Sequence, residues 1–124
     1  MRNWSKLFHP YLCYKHSNAL WNERWIMYRA VVFDRKGWRN HPETKQFENC
    51  PEVLWDLQMD LMGVRLAQGY TANIPDGLYR IERGGEFIPY KSESEQLADL
   101  ILKNCDCDTV AIWEEVKKWR LQET

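Results

Sequence analysis

NCPEVLWDLQMDLMGVRLAQG, residues 49–69, is the stretch that decides the fold. Asn49 stands three residues before Glu52 with Pro51 between them. In that pattern an Asn oxygen accepts an orphan N–H, Glu reaches back, and Pro sits harmlessly in the first turn. Leu54, Leu57, Leu61 and Val64 then recur along one helical face, and Gly69 supplies a stop. The stretch therefore predicts a long helix from Pro51 to about Gln68.

The same start signal occurs upstream as Asn40-His41-Pro42-Glu43, which predicts a short helix from Pro42 to Phe47. Before it, Trp21, Trp25, Tyr28 and Val32 form a stripe on a helix expected from Asn18 to about Asp34, ended by Lys36-Gly37. Trp4, Leu7, Phe8, Tyr11 and Leu12 share one face of a brief helix that Pro10 interrupts. Downstream, Pro75-Asp76-Gly77 opens a turn or short helix that Gly84-Gly85 breaks, and Phe87-Ile88-Pro89-Tyr90 reads as extended chain. Ser92-x-x-Glu95 is a capping box before Leu97, Leu100 and Ile101, and a last helix carries Ile112, Val116 and Trp119. No segment shows strand alternation. The expected fold is all-α, with short amphipathic helices around one long central helix and aromatic, proline-bearing connections. One domain is expected over 1–124, with an N-terminal arm at 1–17 and an extension helix at 103–124.

Seven Trp, six Tyr and four Phe are many rings for 124 residues, and such rings are favoured at interfaces. Charge is segregated: residues 1–48 carry nine Lys/Arg against four acids, a net +5, and the rest carry eight against fourteen, a net −6. Opposed ends of this kind suit a subunit bridging surfaces of different sign. No apolar run approaches the roughly 18 residues of a spanning helix, since Arg29 interrupts Trp25–Phe33. No secretory signal is visible. Residues 1–22 lack acids and carry Arg2, Lys6 and Lys15 among apolar residues, a mitochondrial-targeting flavour. The arm suits docking onto a protein or contact with lipid.

Chemistry is sparse in this reading. Cys105 and Cys107 are too close for a comfortable mutual disulfide. A metal would need both of them with His9, His16 or His41, and a single C-x-C without a second cluster does not support one. The acids Asp106, Asp108, Glu114 and Glu115 read as caps and helix faces, and no nucleophile elbow or phosphate cradle is present. No catalytic residue, cofactor or metal is expected. Trp21, Arg24, Trp25, Tyr28, Arg29, Trp38 and Arg39 interleave rings and guanidinium groups as a single-stranded RNA platform would. A helix that buries its rings and exposes its arginines gives the same spacing. Because the whole chain is not basic, no nucleic-acid partner is expected.

From Pro51-Glu52 and Leu54, through Met59 and Arg65, to Pro75, Tyr79, Glu82 and Phe87-Ile88-Pro89-Tyr90, the order of landmarks resembles subunit 7 of mitochondrial ubiquinol–cytochrome c reductase, respiratory complex III. The resemblance covers about residues 20–100 and rests on order and spacing. It implies a non-catalytic accessory subunit, peripheral on the matrix side of the mitochondrial inner membrane. Such a subunit would pack on the cytochrome b subunit and the core proteins and support electron transport. Trp4, Phe8, Trp21, Trp25, Arg65, Tyr79, Phe87 and Tyr90 are the expected partner interface. A second resemblance is Leu78-Tyr79-Arg80, the tripeptide of the LYR family of mitochondrial accessory and assembly factors, here late in the chain.

Overall fold

The computed structural model describes residues 3–122, and the chain is all-α. Among the described residues there are six helical segments and no strand. A 3-10 helix, Lys6–Tyr11, precedes α1 (Tyr14–Val32), α2 (Pro42–Lys45), α3 (Pro51–Ala67), α4 (Glu93–Leu102) and α5 (Thr109–Gln122). Among the described residues no helix is long and apolar enough to cross a membrane.

The central pair is α1 against α3. Trp21, Trp25 and Tyr28 turn inward from α1, and Leu54 and Leu61 turn inward from α3. Trp55 receives the edges of this stripe, its ring centroid 5.4 Å from Trp25 and 5.5 Å from Tyr28. Gln58 Nε2 donates to the Trp21 carbonyl at 3.0 Å, which fixes the register of the two helices. Edge-to-face rings add about 0.5–1.5 kcal/mol per pair beyond their buried area. The rings of Trp21, Trp25, Tyr28 and Trp55 therefore close on one another.

Three helix starts differ from the expected caps. Helix α1 begins four residues before Asn18, with Cys13 as its N-cap. The Asn-x-Pro-Glu repeats do mark helix starts, but His41 and Cys50 occupy the cap positions, and Pro follows at the first helical position. His41 Nδ1 accepts from Glu43 N–H at 3.2 Å, a task assigned above to Asn40. Ser92 and Glu95 form the expected capping box.

Residues 70–91 contain no helix; they run as an extended strap over α3 and α1. Tyr28 Oη donates to the Tyr79 carbonyl at 2.6 Å and accepts from Ile81 N–H at 2.9 Å. Glu52, freed from any capping box with Asn49, accepts from the N–H of Arg83 and Gly84. Gly84-Gly85 is thus a docking point of the strap and stops no helix: Gly85 N–H donates to the Asn49 carbonyl at 2.8 Å. Phe87 stacks on Phe47 at 5.1 Å. Beyond the strap, α4 and α5 pack together, and α5 also packs on the 3-10 helix.

Candidate active site

Two buried arginines organise the N-terminal half. Arg24, fully buried on α1, donates through Nε to Asn3 Oδ1 at 2.8 Å, through Nη2 to the Trp4 carbonyl at 2.6 Å, and through Nη1 to His9 Nε2 at 2.9 Å. A guanidinium has no acceptor, so His9 Nε2 must present its lone pair, and Nδ1 carries the proton. That proton is donated to Asp60 Oδ1 at 2.7 Å. His9 is accordingly neutral: burial and the Arg24 charge bring its pKa down to about 4, against the pull of Asp60. Burial also lowers Arg24, to about 9, so it stays charged at neutral pH. The result is a cation and an anion joined through a neutral imidazole, with residues 3 and 4 held against α1.

Arg65 on α3 is equally hidden and has no carboxylate partner among the described residues. It donates to the Thr71 carbonyl, Ser17 Oγ and, at 3.4 Å, Asn18 Oδ1, and Tyr70 lies under its guanidinium carbon at 5.5 Å. Of the residues expected at a partner interface, Trp4, Phe8, Trp21, Trp25 and Arg65 are buried within the chain. Phe87 is half-buried on Phe47, whereas Tyr79 and Tyr90 are exposed on the strap.

One residue before Arg24, Glu23 points elsewhere. It is half-exposed and lines a cleft of about 540 Å³ together with Trp4, Lys15, His16, Leu20 and Lys103. Asn104, Cys105 and Asp106 close the far side. Glu23 is the only acid on α1, and it forms no hydrogen bond or ion pair among the described residues. Lys15 and Lys103 supply positive charge, and both help to lower the pKa of His16 after burial, the largest cause. From the cleft, the solvent face of α1 continues through Ile26 to Arg29, with Arg35, Lys36 and the partly exposed Trp38 beyond the helix end. Lys15 and Arg29 lie within about 40° of each other around the helix and about 21 Å apart along it.

A second cleft of about 440 Å³, between the N-terminal segment and the strap, is lined by Asp56, Asp60 and Glu93 with Lys6 as its one cation.

At one edge of the first cleft Cys13, His16, Cys105 and Cys107 converge, with their ligand atoms all within 4.8 Å of one another. The expectation of no metal rested on Cys105 and Cys107 lacking a second cluster. Folding supplies it as Cys13-x-x-His16, 94 residues away from Cys107. His41 instead caps α2, and His9 is consumed by Arg24 and Asp60. Of the acids weighed from sequence, Asp108 caps α5 through Ala111 N–H and Glu114 pairs with Lys117, as expected of caps and helix faces. Glu23 was missed because an isolated acid within a basic segment has no sequence signature. Only its place in the cleft singles it out.

The profile of the pyrimidine dimer DNA glycosylase family matches residues 1–76. No curated protein and no solved structure matches the chain. The family match overturns the resemblance to complex III and, with it, the non-catalytic role, the respiratory-chain association, the LYR alternative and the expectation of no nucleic-acid partner. The landmarks behind that resemblance were common residue types in order, and several of them have internal duties here. Arg65 and the backbone of Tyr79 are engaged within the chain. The interleaved rings of Trp21, Trp25 and Tyr28 are buried, so they form no stacking platform either.

Proposed function

We propose, from the premise that the chain belongs to the pyrimidine dimer DNA glycosylase family, that it binds duplex DNA along the exposed face of α1 and cleaves the N-glycosidic bond of a dimerised pyrimidine. Glu23 carries this reading: a carboxylate without a partner among the described residues, in a nucleotide-sized cleft between Lys15 and Lys103.

Breaking the C1′–N1 bond sends the electron pair to the departing base and leaves positive charge on the sugar. Glycosidic cleavage of this kind passes through an oxocarbenium-like state, which a nearby carboxylate stabilises. Glu23 is suited to that task at the cleft wall. Water then adds at C1′ and its proton ends on N1 of the departing base, leaving an abasic site. Enzymes acting on a base must take it out of the stack, and the cleft falls in the size range of small-molecule pockets. Phosphates flanking the lesion would meet Lys15 on one side and Arg29, Arg35 and Lys36 on the other. Arg24 is a positioning residue: it anchors Asn3 and Trp4 beside the cleft without reaching substrate.

The test uses an end-labelled duplex carrying one cyclobutane thymine dimer, incubated with the full chain and scored for alkali-labile sites. Conversion at the dimer and not in undamaged duplex is the expected result, with Glu23→Gln losing conversion while still binding the duplex. No conversion by the wild-type chain, or conversion by Glu23→Gln at the wild-type rate, overturns the proposal.

A further inference from the structure

We propose that Cys13, His16, Cys105 and Cys107 form a closed, four-coordinate zinc site that fastens the loop before α5 to the start of α1. The four ligand atoms lie within 4.8 Å of one another. His16 Nδ1 is 3.2 Å from Cys13 Sγ and 3.5 Å from Cys107 Sγ. Zinc–sulfur and zinc–nitrogen bonds of about 2.3 and 2.0–2.1 Å give a tetrahedron with edges of about 3.5–3.8 Å, so only small adjustments separate this cluster from coordination. The surroundings suit a charged centre as well. Cys13 N–H donates to Cys107 Sγ at 3.1 Å, a contact that favours thiolate over thiol. Three thiolates and a neutral imidazole around Zn²⁺ leave a net charge of −1. Lys15 and Lys103, whose fields already reach His16, offset that charge.

The position explains what the site is for. Cys13 caps α1, and His16 lies in its first turn. Cys105 and Cys107 belong to the connection between α4 and α5, which otherwise meets the N-terminal segment through the Asp108 N–H to Tyr11 carbonyl bond of 2.9 Å. A metal here joins residues 103–108 to the segment matched by the family profile, and it sets Lys103 and Asp106 at the cleft. With four protein ligands and no open position, the ion is structural. Binding releases up to three thiol protons and changes no oxidation state. The inference is independent of the glycosylase reading.

The experiment measures metal on the full chain purified and kept under reducing conditions. One zinc per chain by elemental analysis is expected. Replacement by Co²⁺ should give the intense visible bands of a tetrahedral ion together with thiolate charge transfer. A nanomolar or tighter dissociation constant is expected from chelator competition. Cys105→Ser and His16→Ala should each weaken binding by at least 100-fold, while Cys50→Ala, whose thiol faces the Gln46 and Glu86 carbonyls instead, keeps full stoichiometry. Reduced wild-type chain that binds neither ion, cobalt spectra of an octahedral site, or a Cys13–Cys107 disulfide in a chain without metal would each overturn the assignment.

Discussion

Glu23 and Arg24 are neighbours on α1 with opposite fates: Arg24 is fully buried under Asn3, Trp4 and His9, and Glu23 faces the cleft with no partner among the described residues. A helix turns about 100° per residue, so adjacent side chains fall on different faces. The buried cation stiffens the wall on which the exposed anion stands. Losing the two residues should therefore produce different failures.

Glu23→Gln keeps the side chain's shape and removes its charge. Loss of a single group that stabilises transition-state charge costs about 100–1,000-fold in turnover. Because Glu23 has no partner to lose among the described residues, the urea midpoint should stay at the wild-type value.

Arg24→Met should cost on the order of 3 kcal/mol in urea unfolding, since Asn3 Oδ1, the Trp4 carbonyl and His9 Nε2 are left buried without a donor. Arg24→Lys should recover only part of this, because a point-like ammonium cannot reach three acceptors in the guanidinium fan. A wild-type midpoint for Arg24→Met would contradict the clamp.

His9 makes stability depend on pH in a defined window. Its folded pKa, about 4, lies below the unfolded value of 6.5, so between them the unfolded chain holds the extra proton. Stability is then complete above about pH 6.5 and falls as pH drops toward 4, by roughly 3 kcal/mol in total. Asp60 is held below its ordinary range chiefly by the His9 hydrogen bond and titrates at lower pH. Denaturation midpoints between pH 4 and 7 should show a shallower slope in His9→Gln than in the wild type.

Two glycines should respond oppositely to alanine. A Cβ on Gly85 would lie 2.4 Å from the Asn49 carbonyl oxygen, a backbone atom held by the start of α3, so Gly85→Ala should cost about 1–3 kcal/mol and loosen the strap. Gly63 lies inside α3 with nothing within 4 Å of an added Cβ, so Gly63→Ala should stabilise by about 0.5–1 kcal/mol. Thermal melts of both variants check the pair.

Lys15→Ala and Arg29→Ala should each lower the slope of log affinity against log salt by about 0.9 for duplex DNA, the loss of one phosphate contact. Lys45→Ala, away from the cleft lining, should leave the slope unchanged. Equal slopes in all three variants would exclude the α1 face as the DNA surface.

The local chemistry of single segments was legible in the sequence. Pro51-Glu52 with the leucine repeat marks α3, Ser92-x-x-Glu95 marks α4, and the Trp21–Trp25–Tyr28 stripe names the inner face of α1, because caps and helical periodicity are set by residues within a turn or two of each other. What depends on distant pairs was decided by folding alone. Cys13-x-x-His16 and Cys105-x-Cys107 are each weak in isolation and become a site only when the two ends of the chain meet. Glu23 gains meaning only from the lysines and open space around it. Arg24 read as an exposed helix charge or part of an RNA platform and Arg65 as a partner-interface residue, yet their hydrogen-bonding partners lie from 6 to 48 residues away within the chain, and that satisfaction is what permits their burial. Hydrogen-bond satisfaction and electrostatic field act through space, and a linear sequence records neither.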